Sequence, residues 1–427
     1  MAAGTFVTHF AKQVHYDGAR DGERPCCWSV AKDRPLPYRQ GKTKPGPEQK
    51  IATIMKVAVI AGLLSMVSST SALAATFVYV SNADDGDIGM YSLQSDGSLQ
   101  AGPRFKAESL VMPMAVRPDK RLLVAAVSSE RYNAYSYSID QVSGALRLVG
   151  TGRLAENLTY ISFDRGGRFL LGASYGANLV SVNPVEPDGR IGDPLQVIPT
   201  ARNPHSIRTD NTNRFVFVPN LGTDQVFQFL LDRRSGYLTA NTPPLVQLKQ
   251  GTGPRHLVVS ADNRFVYVVN ELSGTVTTLA LDAKAGTLKE LDSVSVLPPD
   301  ANLFHGLPRG ADGTPGTNHP DQDIWAADLQ LTPNGRFLYA SERTTSTLAG
   351  FRVDGATGRL TYIGSTPTEK QPRAFAIAPT GRFVVVAGEK SDRLSSYAID
   401  VETGALKLIG RYPSGKGANW VEIVAFD

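Results

Sequence analysis

The stretch from Arg255 to Val294 reads RHLVVSADNRFVYVVNELSGTVTTLALDAKAGTLKELDSV, and it divides into four strands. Arg255–Val259 is mostly apolar and stops at the turn Ser260-Ala261-Asp262-Asn263. Phe265–Val269 is a second β-rich run, and Thr275–Asp282 alternates with a period of two. After the turn Ala283–Gly286, Thr287–Val294 alternates again. Such alternation, without a helical apolar stripe, is the pattern of antiparallel strands. An Arg-Phe pair followed by apolar residues marks the second strand. It recurs at Arg168, Arg214, Arg264, Arg336 and Arg382, with degenerate copies at Arg121 (RLLVAAV) and Thr76 (TFVYVSN). Successive copies start 45, 47, 46, 50, 72 and 46 residues apart. Four-stranded repeats of this length stack radially as propeller blades.

The sequence therefore predicts an all-β chain, a seven-bladed β-propeller filling residues 75–427 as one domain. Trp420–Phe426 (WVEIVAF) resembles an innermost strand whose three partners follow Ala75. One blade is thus expected to draw on both termini, and pairing of N- and C-terminal strands closes the ring and removes the open edges.

Composition narrows the rest. The 427 residues carry 44 Lys+Arg against 40 Asp+Glu and are 42% hydrophobic, which excludes collagen, coiled coil and wholesale disorder. Residues 1–54 hold the whole net charge of +4, and the remainder is balanced, so no basic face for nucleic acid is expected. The only cysteines, Cys26 and Cys27, are adjacent, which excludes a disulfide framework and a four-cysteine zinc site. Residues 1–54 lack any period and read as a mis-extended or disordered segment. Met55-Lys56, the apolar run Val57–Val67 and Ala72-x-Ala74 read as a signal peptide over 55–74. That run is too short to span a bilayer. The mature chain is expected to be periplasmic or secreted, with no membrane contact; a cytoplasmic location is the alternative. The outer-strand faces are mixed and indicate no oligomeric state.

Counting from each marker locates a site. The strand before the marker and the strand after it run antiparallel. Residues about nine before and seven after should therefore meet at one mouth of the central channel. Nine before are His205, Arg255 and Arg373; eight before are His256 and Asp328; seven after are Glu271, Arg343 and Glu389. Ser128, Tyr175 and Leu221 take the last offset in other blades. A concave site with a few convergent polar groups suits a small molecule. Solvated channel charges, or a structural Glu271–Arg343 ion pair, would place the same residues there. The insertion 297–324 should lie on the same face, as a lid or as a solvated loop. Its His319-x-Asp321-x-Asp323 spacing is too weak to read as a metal site. Gly172-Ala173-Ser174-Tyr175-Gly176 matches G-x-S-x-G, but Asn178–Val182 reads as a strand where a nucleophile elbow needs a helix.

Several stretches carry a resemblance: NPHS at 203–206, GPRH at 253–256, VNEL at 269–272, WAAD at 325–328, ERT at 342–344, TPTEKQPRAF at 366–375, AGEKS at 387–391 and GRY at 410–412. Over residues 76–427 the chain resembles the seven-bladed propeller lactonases, nearest the bacterial propeller-type 6-phosphogluconolactonases. Fungal carboxy-muconate cyclases belong to the same superfamily. The resemblance implies hydrolysis of a sugar lactone without metal or organic cofactor, on a small anionic substrate. A lactonising cyclase or a non-catalytic ligand- or protein-binding propeller is the alternative. Lactone hydrolysis needs a base to activate water and donors for the oxyanion. The implied base is His256 or His205, with Glu271 as its orienting partner or as the base itself. Arg255, Arg343 and Arg373, with Asp328 beside them, would hold the substrate and the oxyanion.

Overall fold

The computed structural model describes residues 75–129, 131–310, 314–316 and 318–426. The expected signal peptide at 55–74 and the segment 1–54 lie outside the described residues. The described residues form seven four-stranded antiparallel sheets, each strand pairing with the next in a simple meander. Blades are numbered here from the N-terminus. The fifth blade runs Pro254–Val259, Phe265–Asn270, Thr275–Asp282 and Thr287–Ser295, close to the boundaries that alternation indicates. In the first blade the innermost strand is Ala418–Phe426, followed outward by Ala75–Asn82, Asp87–Leu93 and Leu99–Lys106. Thr76 pairs with Ala425 and Val80 with Val421, so the two ends of the fold close the ring. After Ser174 the chain turns into the strand Leu179–Pro184, so the G-x-S-x-G match sits in a hairpin and not at a helix. Among the described residues no helix is long and apolar enough to cross a membrane.

The repeat has a packing cause. The phenylalanine after each marker is buried against a glycine in the third-to-fourth-strand turn of the next blade. Gly286 has φ +71°, and a Cβ there would sit 2.0 Å from the ring of Phe215 in the fourth blade. Gly358 stands in the same relation to Phe265, and Gly404 to Phe337. The marker arginine lies over its own phenylalanine, 5.1 Å for Arg264 on Phe265, and donates to carbonyls of that neighbouring turn, Gly355 and Ala356. Arg168 donates likewise to Arg233 O and Arg234 O, and Arg214 to Lys284 O, so these Arg-Phe pairs clamp one blade to the next. Buried aliphatic and aromatic side chains fill the space between sheets, as with Phe265, Tyr267, Leu338 and Phe351 between the fifth and sixth blades.

Candidate active site

At the mouth end, the innermost strands depart from regular pairing. In the fifth blade the register shifts between Pro254 and His256, leaving Arg255 as the extra residue of a bulge. Arg373 is the corresponding residue in the seventh blade, between Pro372 and Ala374. A bulge re-aims side chains, and both arginines line one cavity of about 630 Å³. His205, Glu271, Arg343 and Glu389 line it too, from the fourth to seventh blades. Met112, Ser128, Thr159 and Tyr175 line it from the second and third blades, together with Glu156 from the link between those blades. The offsets of nine before and seven after thus converge as the strand geometry requires. Leu221 departs from them: it is buried in the 3-10 turn Leu221–Thr223 and is not in the cavity wall.

One carboxylate organises the charged half. Glu271 Oε2 accepts from Arg255 Nε at 2.7 Å and from Arg343 Nη2 at 2.8 Å. Both arginines are almost wholly buried. Burial of a charge is tolerated only when it is paired and its donors are satisfied. The remaining bonds meet that demand. Arg255 Nη1 donates to Ala327 O at 2.6 Å, and Arg343 Nε to Trp325 O at 3.1 Å. Arg373 pairs with Glu389 at 3.1 Å. Burial would raise the Glu389 carboxyl, but Arg373 and Arg343 outweigh it and hold the group below its ordinary value.

The residues eight before the marker stand beneath the cavity, not in its wall. His256 Nε2 lies 3.1 Å from Arg255 Nη1, and its Nδ1 lies 2.9 Å from Asp328 Oδ1. A guanidinium nitrogen has only protons to give. Nε2 must therefore accept, so the imidazole proton sits on Nδ1 and is donated to Asp328. Both ring nitrogens are occupied. Burial first, then the positive charge of Arg255, hold His256 well below the ordinary histidine value. Burial pushes Asp328 up to about 6 against the opposing pull of Arg255. His256 packs edge-on against Tyr160 and His205, and Trp420 lies against Tyr160. These rings form a floor. Below it, a smaller cavity is lined by Asp328, Arg208, Trp420 and Glu422.

His205 differs from His256. It lines the upper cavity, and its Nδ1 is buried without a hydrogen bond among the described residues. Burial and the nearby Arg255 hold it well below the ordinary histidine value, so the imidazole is neutral at pH 7.

The insertion forms a roof. Whereas residues 107–110 or 368–371 suffice to link an outer strand to the next inner strand, residues 296–325 make this link between the fifth and sixth blades. Gly306 N donates to Leu272 O, and Thr344 Oγ1 to Asp323 O at 2.6 Å. Across the mouth, the Tyr175 hydroxyl donates to Arg309 O at 3.0 Å. His319 stacks on Phe304, with ring centres 4.7 Å apart. Arg309 and Trp325 join the cavity wall. Neither falls at a repeat offset, so counting from the markers finds neither; Trp325 opens the matching stretch WAAD at 325–328, and that membership is its signal in the sequence.

Comparison with known proteins agrees with this architecture. Residues 75–423 match the family model described as lactonase, 7-bladed beta-propeller. The chain is 38% identical over 300 residues to a 6-phosphogluconolactonase of Serratia proteamaculans, covering 70% of this chain and 84% of that protein. A second 6-phosphogluconolactonase, from Pectobacterium carotovorum, is 36% identical over the same shares. Among solved structures, the periplasmic gluconolactonase PpgL of Pseudomonas aeruginosa superposes with a TM-score of 0.72 at 29% identity, covering 83% of this chain and all of that one. The chain belongs to the seven-bladed β-propeller lactonase family.

Proposed function

We propose that this protein hydrolyses a sugar (aldono-) lactone in the upper cavity. The observation that carries the reading is the convergence of His205, Arg255, Glu271, Arg343 and Arg373 on one cavity of a lactonase-family propeller. Relatives named 6-phosphogluconolactonase and gluconolactonase support the substrate class.

The roles follow from the bonds. His205 takes the proton from the attacking water, since it is the histidine that reaches the cavity and it is neutral at pH 7. Its depressed basicity keeps it unprotonated into mildly acidic solution. Glu271 locks two guanidiniums in place. The terminal nitrogens not used in that lock, Nη2 of Arg255 and Nη1 of Arg343, hold the oxyanion. His256 and Asp328 serve as positioning residues that fix Arg255 from below. Arg373 and Glu389 bind the polar periphery of the substrate. The proton taken by His205 returns to the ring oxygen as the carbonyl bond to it breaks, giving the open hydroxy acid. This chemistry proceeds with the chain's own residues.

We also propose export to the periplasm. The leader pattern at 55–74 and the periplasmic relative support it. A substrate met there would be a lactone from sugar oxidation outside the cytoplasm.

The test is a pH-indicator assay of the purified protein on glucono-δ-lactone, its 6-phosphate and a muconolactone. Glu271→Gln serves as the control for spontaneous opening. Hydrolysis well above the control on a sugar lactone is expected. Excess on the muconolactone alone would transfer the reading to cyclase chemistry. No excess on any of the three would leave a ligand-binding propeller.

A further inference from the structure

Glu156 stands apart from the other carboxylates of the cavity wall. Glu271 is gripped by Arg255 and Arg343, and Glu389 by Arg373. The side chain of Glu156 lines the same cavity, yet it has no hydrogen bond and no ion pair among the described residues. It belongs to the link between Leu146–Arg153 of the second blade and Tyr160–Phe163 of the third. In a ring of seven blades that link faces the sixth, which carries Arg343. The unpaired carboxylate and the Glu271-paired guanidiniums therefore stand on opposite sides of one cavity.

The next residue completes the chemistry. Asn157 Oδ1 accepts from Ser128 Oγ at 2.6 Å, and this bond fixes the amide. That leaves Nδ2, with two protons to give, without a partner among the described residues. Both Asn157 and Ser128 line the cavity, and Leu110 and Met112 add apolar surface beside them. A carboxylate accepts at both oxygens and donates at neither. The hydroxyls of a sugar lactone can donate to Glu156 and accept from Asn157, while its C–H edges suit the apolar surface. A phosphate or carboxylate end group would bring acceptors and like charge against Glu156. A lactone whose carbonyl rests on Arg255 and Arg343 turns its far, hydroxyl-bearing side toward this wall.

We infer that Glu156 and Asn157 determine specificity: they bind the hydroxyls on the far side of the lactone and select a neutral polyhydroxy substrate over one ending in an anion. This rests on the lactone-hydrolase reading above. Neither residue reaches the reacting carbonyl, so both act on binding and not on the chemical step.

The experiment compares wild type with Glu156→Gln, Glu156→Ala and Asn157→Ala on three lactones: glucono-δ-lactone, its 6-phosphate, and δ-valerolactone, which has no hydroxyl. Wild type should have the higher kcat/KM on the neutral sugar lactone than on its phosphate. Glu156→Ala should raise KM for glucono-δ-lactone by about 10- to 100-fold with kcat nearly unchanged, because hydrogen bonds to a charged group are lost. Glu156→Gln should lose less, since its amide oxygen still accepts, and Asn157→Ala should raise KM by about 3- to 10-fold. On δ-valerolactone each variant should stay within about threefold of wild type, which also shows that the fold is intact. On the 6-phosphate Glu156→Gln should lose less than on the neutral lactone, because the variant also removes a repulsion. A wild type that prefers the 6-phosphate overturns the inference. So does an equal fall on glucono-δ-lactone and δ-valerolactone, an equal fall on glucono-δ-lactone and its phosphate, or no fall on any of them; each leaves the lactonase intact. A wild type inactive on all three overturns the lactonase reading itself.

Discussion

The marker arginines and the mouth arginines occupy opposite ends of the same blades. Arg264 and Arg336 keep about half of their side chains in solvent, 52% and 44% exposed, while lying over their own phenylalanines. Arg255 and Arg343 are 1% and 3% exposed and share one carboxylate oxygen. The first pair repeats in nearly every blade because blade packing asks the same of each. The second pair does not repeat, because nothing in the fold asks for it. Desolvating two guanidiniums and a glutamate is costly even when they are paired, and hydrophobic residues would fill that volume at less expense. A repeat protein thus separates its two tasks by position: symmetry at the turn end serves the ring, and broken symmetry at the mouth serves the site.

The comparison is tested most severely at Glu271. Glu271→Gln leaves Arg255 and Arg343 buried without a counter-charge. Lactone turnover should fall to the spontaneous rate, and stability should drop by about 3 kcal/mol, read as a lower midpoint in chemical denaturation. Next is the support beneath. Asp328→Asn and His256→Ala should each reduce kcat by about 10- to 100-fold with little change in KM, since they displace Arg255 and not the substrate. If His256→Ala instead abolished turnover and imidazole restored it, His256 and not His205 would be the base.

A smaller effect is expected at the lower cavity. Burial pushes Glu422 up to about 7, against the Trp420 Nε1–H bond. A carboxyl with a raised folded pKa binds more protons folded than unfolded between its two pKa values, so stability falls as pH rises from about 4.5 to about 7. Glu422→Gln should therefore stabilise the protein by about 1–3 kcal/mol at pH 8 and leave it unchanged near pH 4. The two buried histidines have the opposite sign, destabilising the fold as pH falls below the ordinary histidine value; they are common to both proteins and cancel in the difference. The smallest effect belongs to the marker end. Arg264→Ala should cost no more than about 1 kcal/mol and leave kcat and KM untouched. A loss of activity there would break the division between the two arginine sets.

Blade number, strand limits and ring closure were readable because alternation and the Arg-Phe phase are local signals repeated along the chain. The meeting of His205, Arg255, Glu271, Arg343 and Arg373 at one mouth followed from the same phase. The direction of neighbouring side chains did not. Arg255 and His256 are adjacent, yet the bulge at Pro254–His256 sends one into the cavity and the other into the floor. No residue type signals such a bulge. Leu221 escaped the offset for a related reason, a short helical turn in place of an open loop end. Arg309 was unreadable because the insertion has no phase to count from, and its place depends on the contacts with Trp325 and Tyr175.

Ring closure also sets an order in time. The first blade obtains its innermost strand from Ala418–Phe426, so on a ribosome its first three strands are made early and completed last. Until then, Ala75–Asn82 has an open inner edge and the channel has a gap along its side. The upper cavity, enclosed by blades on both sides of that gap, acquires its final shape only when the last strand arrives. Catalytic competence is therefore an all-or-none property of the finished polypeptide: a chain cut short before Ala418 would retain every residue assigned to the site and lack the ring that holds them in place.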